Sequence, residues 1–372
     1  MDSIVKADRE EKIPLVVDGS HGEGGGQIFR TALAVAAATG RPLEISKIRH
    51  NRSRPGLLRQ HLTALNALAR ICDADVEGAS LGSTKVSFRP KRLKGGDYEF
   101  AVGTAGSTML VLQTLLMPLL LAEEPTRLVL RGGTHAKSAP PLEFTEQSLL
   151  PLLRGLGADV QIKLKTYGFY PAGGGEVEVM IRPLGEPLRY LDAKKRGALH
   201  SREIQVITAF LPRHVANREL LKATELLKWP IELGKIHRLR NASCPGNALL
   251  VALHFGNHSE VFTAYGEKGK SAEKVAHEVV EETETFLNSE AVIGPYLADQ
   301  LLLPLALQRG GSFLTGPLTS HCSTQVDLLS TLLGISIEVN EVSTDLFEVT
   351  LEGPHSLSRS QDVPSSEGPA TP

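Results

Sequence analysis

Cysteine is scarce in this chain, and the three present, Cys72, Cys244 and Cys322, stand far apart with no Cys-x-x-Cys pair. That spacing argues against a structural zinc site and against a disulfide framework. Long hydrophobic runs are missing too. The greasiest stretch, residues 109–121, holds Gln113 and Pro118 and is shorter than a bilayer requires. The first ten residues lack the apolar centre of a secretory signal, so a cytoplasmic location is the expectation. Nor is there a surplus of one charge. Lys and Arg number 40 against 42 Asp and Glu, a formal net charge of −2, so any nucleic-acid contact must come from a local basic patch. The familiar phosphate-binding signatures are also absent. Gly22-Glu23-Gly24-Gly25-Gly26-Gln27 has no Gly-Lys-Ser/Thr ending and does not follow the dinucleotide GxGxxG spacing.

What the sequence does contain is one order of elements written three times: helix, strand, helix, strand, strand. The first copy is expected at 27–39, 43–48, 56–71, 75–77 and 85–88, and the second at 106–121, 127–130, 142–156, 158–164 and 176–181. The third is expected at 296–307, 312–315, 322–333, 336–339 and 346–351. Apolar residues recur at the helical period in the helices and alternate in the strands. Each helix pair can cover one face of a small sheet, so three units would share a core. The chain is therefore expected to be α/β, with a main domain over 1–184 plus 289–353. A smaller inserted α/β domain is expected over 185–288, where the pattern breaks into strands at 203–210, 248–255 and 261–265 and helices at 215–228 and 271–287. Residues 354–372, rich in Ser, Pro and Gly, are expected to be disordered.

Several residues stand out as carriers of chemistry. The glycine loop at 22–27 opens a helix, so it reads either as a tight turn or as an anion site, and Glu23 within it could hold Mg²⁺. A second cluster, Ala172-Gly173-Gly174-Gly175-Glu176, reads better as close backbone packing. The loop Arg49-His50-Asn51-Arg52-Ser53-Arg54 places three guanidinium forks before a helix, with Arg59 and Gln60 on its first turn. It is either a solvated basic loop or, with Arg30, an anionic pocket. Only the third copy has a histidine, His321, where its second helix begins. That histidine is a cap or packed ring on one reading, and on the other a nucleophile, since neutral imidazole attacks activated phosphorus near pH 7. Asp299 and Gln300 are polar residues at the head of an apolar helix, which suits ligand contact.

Four stretches together resemble the signatures of the RNA 3′-terminal phosphate cyclase family. They are His21-Gly22-Glu23-Gly24-Gly25-Gly26-Gln27-Ile28-Phe29-Arg30, residues 54–64 beginning Arg54-Pro55-Gly56, Gly168-Phe169-Tyr170-Pro171-Ala172-Gly173-Gly174-Gly175, and Tyr296-Leu297-Ala298-Asp299-Gln300-Leu301. The likeness runs from about Val16 to Gly353. It implies three repeated α/β units with a smaller domain inserted before the third. It also implies an ATP-driven reaction in which His321 becomes a histidyl–AMP, AMP passes to an RNA 3′-phosphate, and the 2′-hydroxyl closes a 2′,3′-cyclic phosphate. Carried over by position, Gln113, Pro140, Tyr296, Leu297, Ala298, Asp299 and Gln300 would bind ATP, with Tyr296 and Pro140 enclosing adenine. Arg30, Arg49, Arg52 and Gln60 would hold the RNA 3′-phosphate or ATP phosphates, while Glu23 and Gln113 would hold Mg²⁺ or Mn²⁺. The implied partner is an RNA with a 3′-phosphate end, with no membrane. Two other readings stand beside this one. A non-catalytic branch resembles the fold but acts in ribosome assembly without the nucleophilic histidine, which His321 argues against. The other is a metabolic transferase on a similar repeated scaffold.

Overall fold

Short strands with alternating burial, separated by helices rich in Leu, Ala and Val, assemble into four mixed sheets of four strands each in the computed structural model, which describes residues 12–354. The expected disordered tail, apart from Pro354, lies outside the described residues.

In the first sheet, Leu15–Asp18 and Leu43–Ser46 run parallel, then Val86–Arg89 and Asp75–Glu77 follow as antiparallel neighbours. The second sheet repeats that connectivity with Gly96–Ala101, Thr126–Gly132, Gly175–Arg182 and Asp159–Thr166. A third repeats it again with Leu191–Ala193, Gly310–Thr315, Leu346–Glu352 and Ile337–Ser343. Parallel neighbours cannot be joined by a hairpin, so each first pair needs a crossover helix. The helices Gly26–Thr39, Thr108–Leu120 and Pro295–Ala306 fill that role.

Each of these sheets opens with a strand that the sequence pattern did not disclose. Leu15–Asp18 has four residues and Leu191–Ala193 only three, which leaves little length for an alternation; Gly96–Ala101 has six, with two apolar residues, Tyr98 and Phe100, in its alternation. The order is thus strand, helix, strand, helix, strand, strand. Residues 191–193, expected inside the insertion, hydrogen-bond instead to Gly310–Thr315.

The fourth sheet has a different connectivity. Leu199–Ala209 lies between a parallel neighbour, Gly234–Leu239, and an antiparallel one, Gly246–Phe255, which pairs with Ser259–Tyr265. Gly234–Leu239 escaped the sequence pattern because its residues, Gly-Lys-Ile-His-Arg-Leu, are mostly polar and half-exposed. The two central strands are buried on both faces. Leu249, Val251 and Leu253 pack among the helices Arg213–Leu227 and Ala272–Asn288, while Ala248, Leu250 and Ala252 join the large core shared by the other three sheets. Such two-sided burial explains the unbroken apolar run from Ala248 to Leu253.

The helix Gly26–Thr39 is the hub. It is buried on almost every side and packs on Arg59–Cys72, Thr108–Leu120 and Ser320–Leu333. Its small residues, Ala32, Ala34, Ala36 and Ala37, allow these close approaches.

The entry and exit of the fourth-sheet unit are stapled by Arg196. Its Nε donates to Ala291 O at 2.6 Å, and its Nη2 donates to Phe286 O at 3.0 Å and Ser289 O at 2.9 Å. The guanidinium also lies 4.2 Å from the Phe286 ring centre. Removing it orphans several carbonyls that water reaches poorly. Arg196→Met is expected to lower stability by on the order of 3 kcal/mol, read as a reduced urea midpoint with little change of slope. An unchanged midpoint would show that the staple is dispensable.

Candidate active site

His321 sits in the first turn of the helix Ser320–Leu333, whose N-terminus is capped by Thr319: its Oγ1 accepts from the Cys322 N–H at 3.1 Å. The cap is therefore Thr319, and the imidazole is left for other contacts. Its Nδ1 lies 2.7 Å from Gln27 Oε1 and 2.8 Å from Glu23 Oε2. Gln27 is itself buried, and its orientation is fixed by two acceptors. Its Nε2 donates to Asp299 Oδ1 and, at 3.0 Å, to Gln325 Oε1. An amide whose NH₂ is committed in this way turns its oxygen to the ring. Nδ1 then carries the proton and Nε2 the lone pair. Nε2 has no protein partner among the described residues.

The supporting groups are locked in turn. Gln325 Nε2 donates to Asp299 O at 2.6 Å, and Thr31 Oγ1 donates to Gln325 Oε1 at 3.0 Å. Burial pushes the Asp299 carboxyl up from its ordinary range, while His321, Gln27 and Arg30 oppose that shift. Burial also pushes His321 below its ordinary 6.5, with Arg30 and Arg52 acting the same way and Asp299 against them. A ring held below 6.5 is neutral at physiological pH.

The glycine loop is shaped by clearance. Gly22 has φ +52° and a side chain there would strike Thr324 of the His321 helix, while a Cβ on Gly26 would strike His61 Nε2. Glu23 N–H donates to Thr324 Oγ1 at 3.1 Å, which seats the acid beside the histidine. His61 is buried and pushed down to about 3, first by burial and then by Arg30 and Arg49, so it stays neutral. Its Nδ1 accepts from the Leu58 N–H at 3.3 Å.

His321 opens onto a cleft of about 900 Å³. Gln27, Arg30, Gln113, Pro140, Tyr296, Asp299 and Gln300 line it as well. Tyr296, Asp299 and Gln300 share one face of their helix, three and four residues apart. Leu297 and Ala298 do not reach the cleft: the same register turns them into the core, 0% and 1% exposed. Arg49 and Gln60 are also absent from its walls. Arg49 Nη1 donates to Arg54 O at 2.6 Å and Gly56 O at 2.9 Å, and Gln60 Oε1 accepts from the Ser107 N–H at 3.1 Å. Both brace backbone. Arg52 forms an ion pair with Glu23 Oε1, next to the histidine.

Several buried polar atoms near the cleft have no partner. Glu23 Oε2 lies close to the His321 ring but out of line for a hydrogen bond, and Gln113 Oε1 is likewise free. Both are hard oxygen donors, which fits Mg²⁺ or Mn²⁺. Among the described residues no cluster of three or more His, Cys, Asp or Glu exists that could cage a metal. A metal here would thus take its remaining ligands from phosphate and water, the usual habit of Mg²⁺. Thr263 Oγ1, Tyr265 OH, Glu282 Oε2 and Arg30 Nε are also unpartnered.

A family model described as RNA 3′-terminal phosphate cyclase matches residues 21–339. The chain belongs to the RNA 3′-terminal phosphate cyclase family. Among curated relatives, an RNA 3′-terminal phosphate cyclase of Koribacter versatilis (strain Ellin345) is 47% identical over 327 residues, covering 88% of this chain and 92% of that protein. One from Ectopseudomonas mendocina (strain ymp) is 45% identical, covering 88% and 96%. Among solved structures, the EPSP synthase of Acinetobacter baumannii aligns over 92% of this chain and 64% of its own at 13% identity, with a TM-score of 0.28, too low to support any argument.

Within this cyclase family member, sequence reasoning overlooked residues that the fold brings to the cleft. In the sequence Gln27 stands out only as the end of a glycine motif and the start of a helix. Thr263, Tyr265, Lys268, Lys274 and Glu282 come from the unit carrying the fourth sheet and line the opposite wall. Nothing local marks them, since they lie in ordinary strand, turn and helix segments. Lys137 pairs with Glu267 at 2.8 Å, bridging the two sides.

Carbethoxylation of His321 should therefore rise with pH along a limb centred below 6.5. Arg30→Gln removes a cation that favours the neutral ring, so the limb should move to higher pH. Peptide mapping after reaction at a series of pH values measures this, and an unmoved limb would exclude the influence of Arg30.

Proposed function

We propose that this chain uses ATP to convert an RNA 3′-terminal phosphate into a 2′,3′-cyclic phosphate through an adenylate carried on His321 Nε2. The observation that carries the reading is the hydrogen-bonded state of the ring. Its Nδ1 is bracketed by two oxygens, and the opposite nitrogen, with its lone pair, belongs to a residue lining the cleft. The family membership supports the overall reaction.

In the first step the Nε2 lone pair attacks the α-phosphorus, the bond to the β-phosphate breaks, and pyrophosphate leaves. The ring becomes positively charged; Gln27 Oε1, held by Asp299, would accept from Nδ1–H, and the nearby Glu23 carboxylate would stabilise the charge electrostatically. In the second, an oxygen of the RNA 3′-phosphate attacks the same phosphorus. The P–N bond breaks and the neutral ring is restored. In the third, the ribose 2′-hydroxyl attacks the 3′-phosphorus, loses its proton, and AMP departs from the anhydride. Splitting the work lets a good leaving group replace an oxide-like one. Only a ribose end offers the hydroxyl needed at the close.

Adenine would lie between Tyr296, 49% exposed, and Pro140. Arg30 and Arg52 would hold phosphate oxygens, while Arg49 and Gln60 hold the loop around them. A bound Mg²⁺ or Mn²⁺, held through Glu23 Oε2 and Gln113 Oε1, would neutralise charge on the reacting phosphates. In the same reading the three sheets of common connectivity are three copies of one unit, and the fourth-sheet unit is inserted within the third copy.

The test is incubation with α-labelled ATP and Mg²⁺, followed by mapping of the modified residue. The wild-type protein should become labelled on His321, and His321→Ala should not. Gln27→Leu frees the ring to rotate or change tautomer and should slow labelling about tenfold to a hundredfold. Ring closure of a 3′-phosphorylated RNA without any protein-bound adenylate would overturn the mechanism.

A further inference from the structure

The glycine motif at 168–175 is not used by the chemistry above, yet it builds an unusual surface. Gly173 N–H donates to Phe169 O at 2.7 Å, closing a tight loop. Gly173 has φ +72°, and a Cβ there would lie 2.7 Å from Thr104 O, while one on Gly174 would strike Ser243 Oγ. Phe169 is the anchor: it is 3% exposed and its ring centre lies 5.1 Å from that of His135. The next residue, Tyr170, is turned the other way and is 77% exposed. It has no hydrogen-bond or ring partner among the described residues. A braced loop thus presents a bare aromatic face.

Across Thr104 lies the basic loop. Residues 47–60 include Lys47, four arginines and one histidine but no acid. Three of these cations have protein partners: Lys47 pairs with Asp18 at 2.7 Å, Arg49 turns inward, and Arg52 meets Glu23. Arg54 and Arg59 remain, both exposed and without a side-chain partner among the described residues. The Arg59 guanidinium lies 3.9 Å from where a Gly103 Cβ would be, and Gly103 adjoins Thr104. Arg52 thus meets Glu23 beside His321, while Arg59 and the 168–175 loop both border the Gly103–Thr104 segment.

We propose that Arg54, Arg59 and Tyr170 form a track for the single-stranded body of the RNA upstream of its 3′-phosphate. The guanidinium groups would hold backbone phosphates, and the Tyr170 ring would stack on an unpaired base. This rests on the proposed function, which places the 3′-end beside Arg52. Phosphate contacts and stacking read no sequence, so the track accepts any base order and requires unpaired nucleotides.

The test uses the full chain with 3′-phosphorylated RNA oligonucleotides labelled at the 5′ end, a dinucleotide and a decanucleotide, measured by anisotropy without ATP and by KM for cyclisation. The wild-type protein should bind the decanucleotide more tightly. Tyr170→Ala should weaken decanucleotide binding about fivefold or more, the effect of losing one stacked base. Tyr170→Phe should restore it. Dinucleotide binding should stay constant. Arg54→Gln and Arg59→Gln should each reduce the slope of log affinity against log salt by about one. Labelling of His321 by ATP alone should be unchanged in all four variants. Equal wild-type affinity for the two oligonucleotides, or wild-type decanucleotide affinity in Tyr170→Ala, would overturn the track. Because binding is read without ATP, loss of His321 labelling in the wild type would count against the proposed function and leave this outcome separate.

Discussion

One buried amide fixes the ring of His321 and the groups around it. Gln27 lies on the central helix of the large core and reaches three residues of the chain's last third: His321, Asp299 and Gln325. A buried polar group without partners is costly, so each member of the network fixes the others. The ring can neither turn over nor exchange its proton between nitrogens without breaking that set. The small residues that let the helix sit between its neighbours are therefore as necessary to the histidine as the amide is.

Burial supplies the second element of the site. It drives His321 and His61 down and Asp299 up, and in each case it is the leading cause. The half-buried guanidinium of Arg30 strengthens the neutral state of both imidazoles. His321 and a guanidinium thus share one electrostatic environment. The same positive charge that favours the neutral ring would also attract anions such as phosphate. The unpartnered oxygens of Glu23 and Gln113 complete a site left open to a ligand.

The unit containing the fourth sheet has a structural part as well. Its sheet contributes one face to the main core and the other to its own helices. That double burial, with the Arg196 staple, fixes the wall carrying Thr263, Tyr265 and Glu282 against the wall carrying Tyr296 and Asp299. Tyr296 OH donates to Glu282 Oε1 at 2.9 Å across that boundary. The cleft lies where the fourth-sheet unit meets the helices Gly26–Thr39, Thr108–Leu120, Pro295–Ala306 and Ser320–Leu333.

The sequence by itself determined the helices, most of the strands, the break in pattern before the last unit, and His321 as the residue to watch. These follow from local periodicity and from the rarity of a histidine at a helix start. Glu23, Arg30, Asp299 and Gln300 stood out from their own settings as well, and family likeness added Pro140 and Tyr296 as adenine contacts. Short strands such as Leu191–Ala193 stayed hidden because their pairing energy comes from partners more than a hundred residues away. Only the tertiary structure decided which arginines brace the loop and which stay free. It also turned Leu297 and Ala298 inward and assigned Gln27 its role. Hydrogen-bond partners and burial are properties of neighbours in space, and a linear pattern carries no record of which distant atoms will stand within 3 Å.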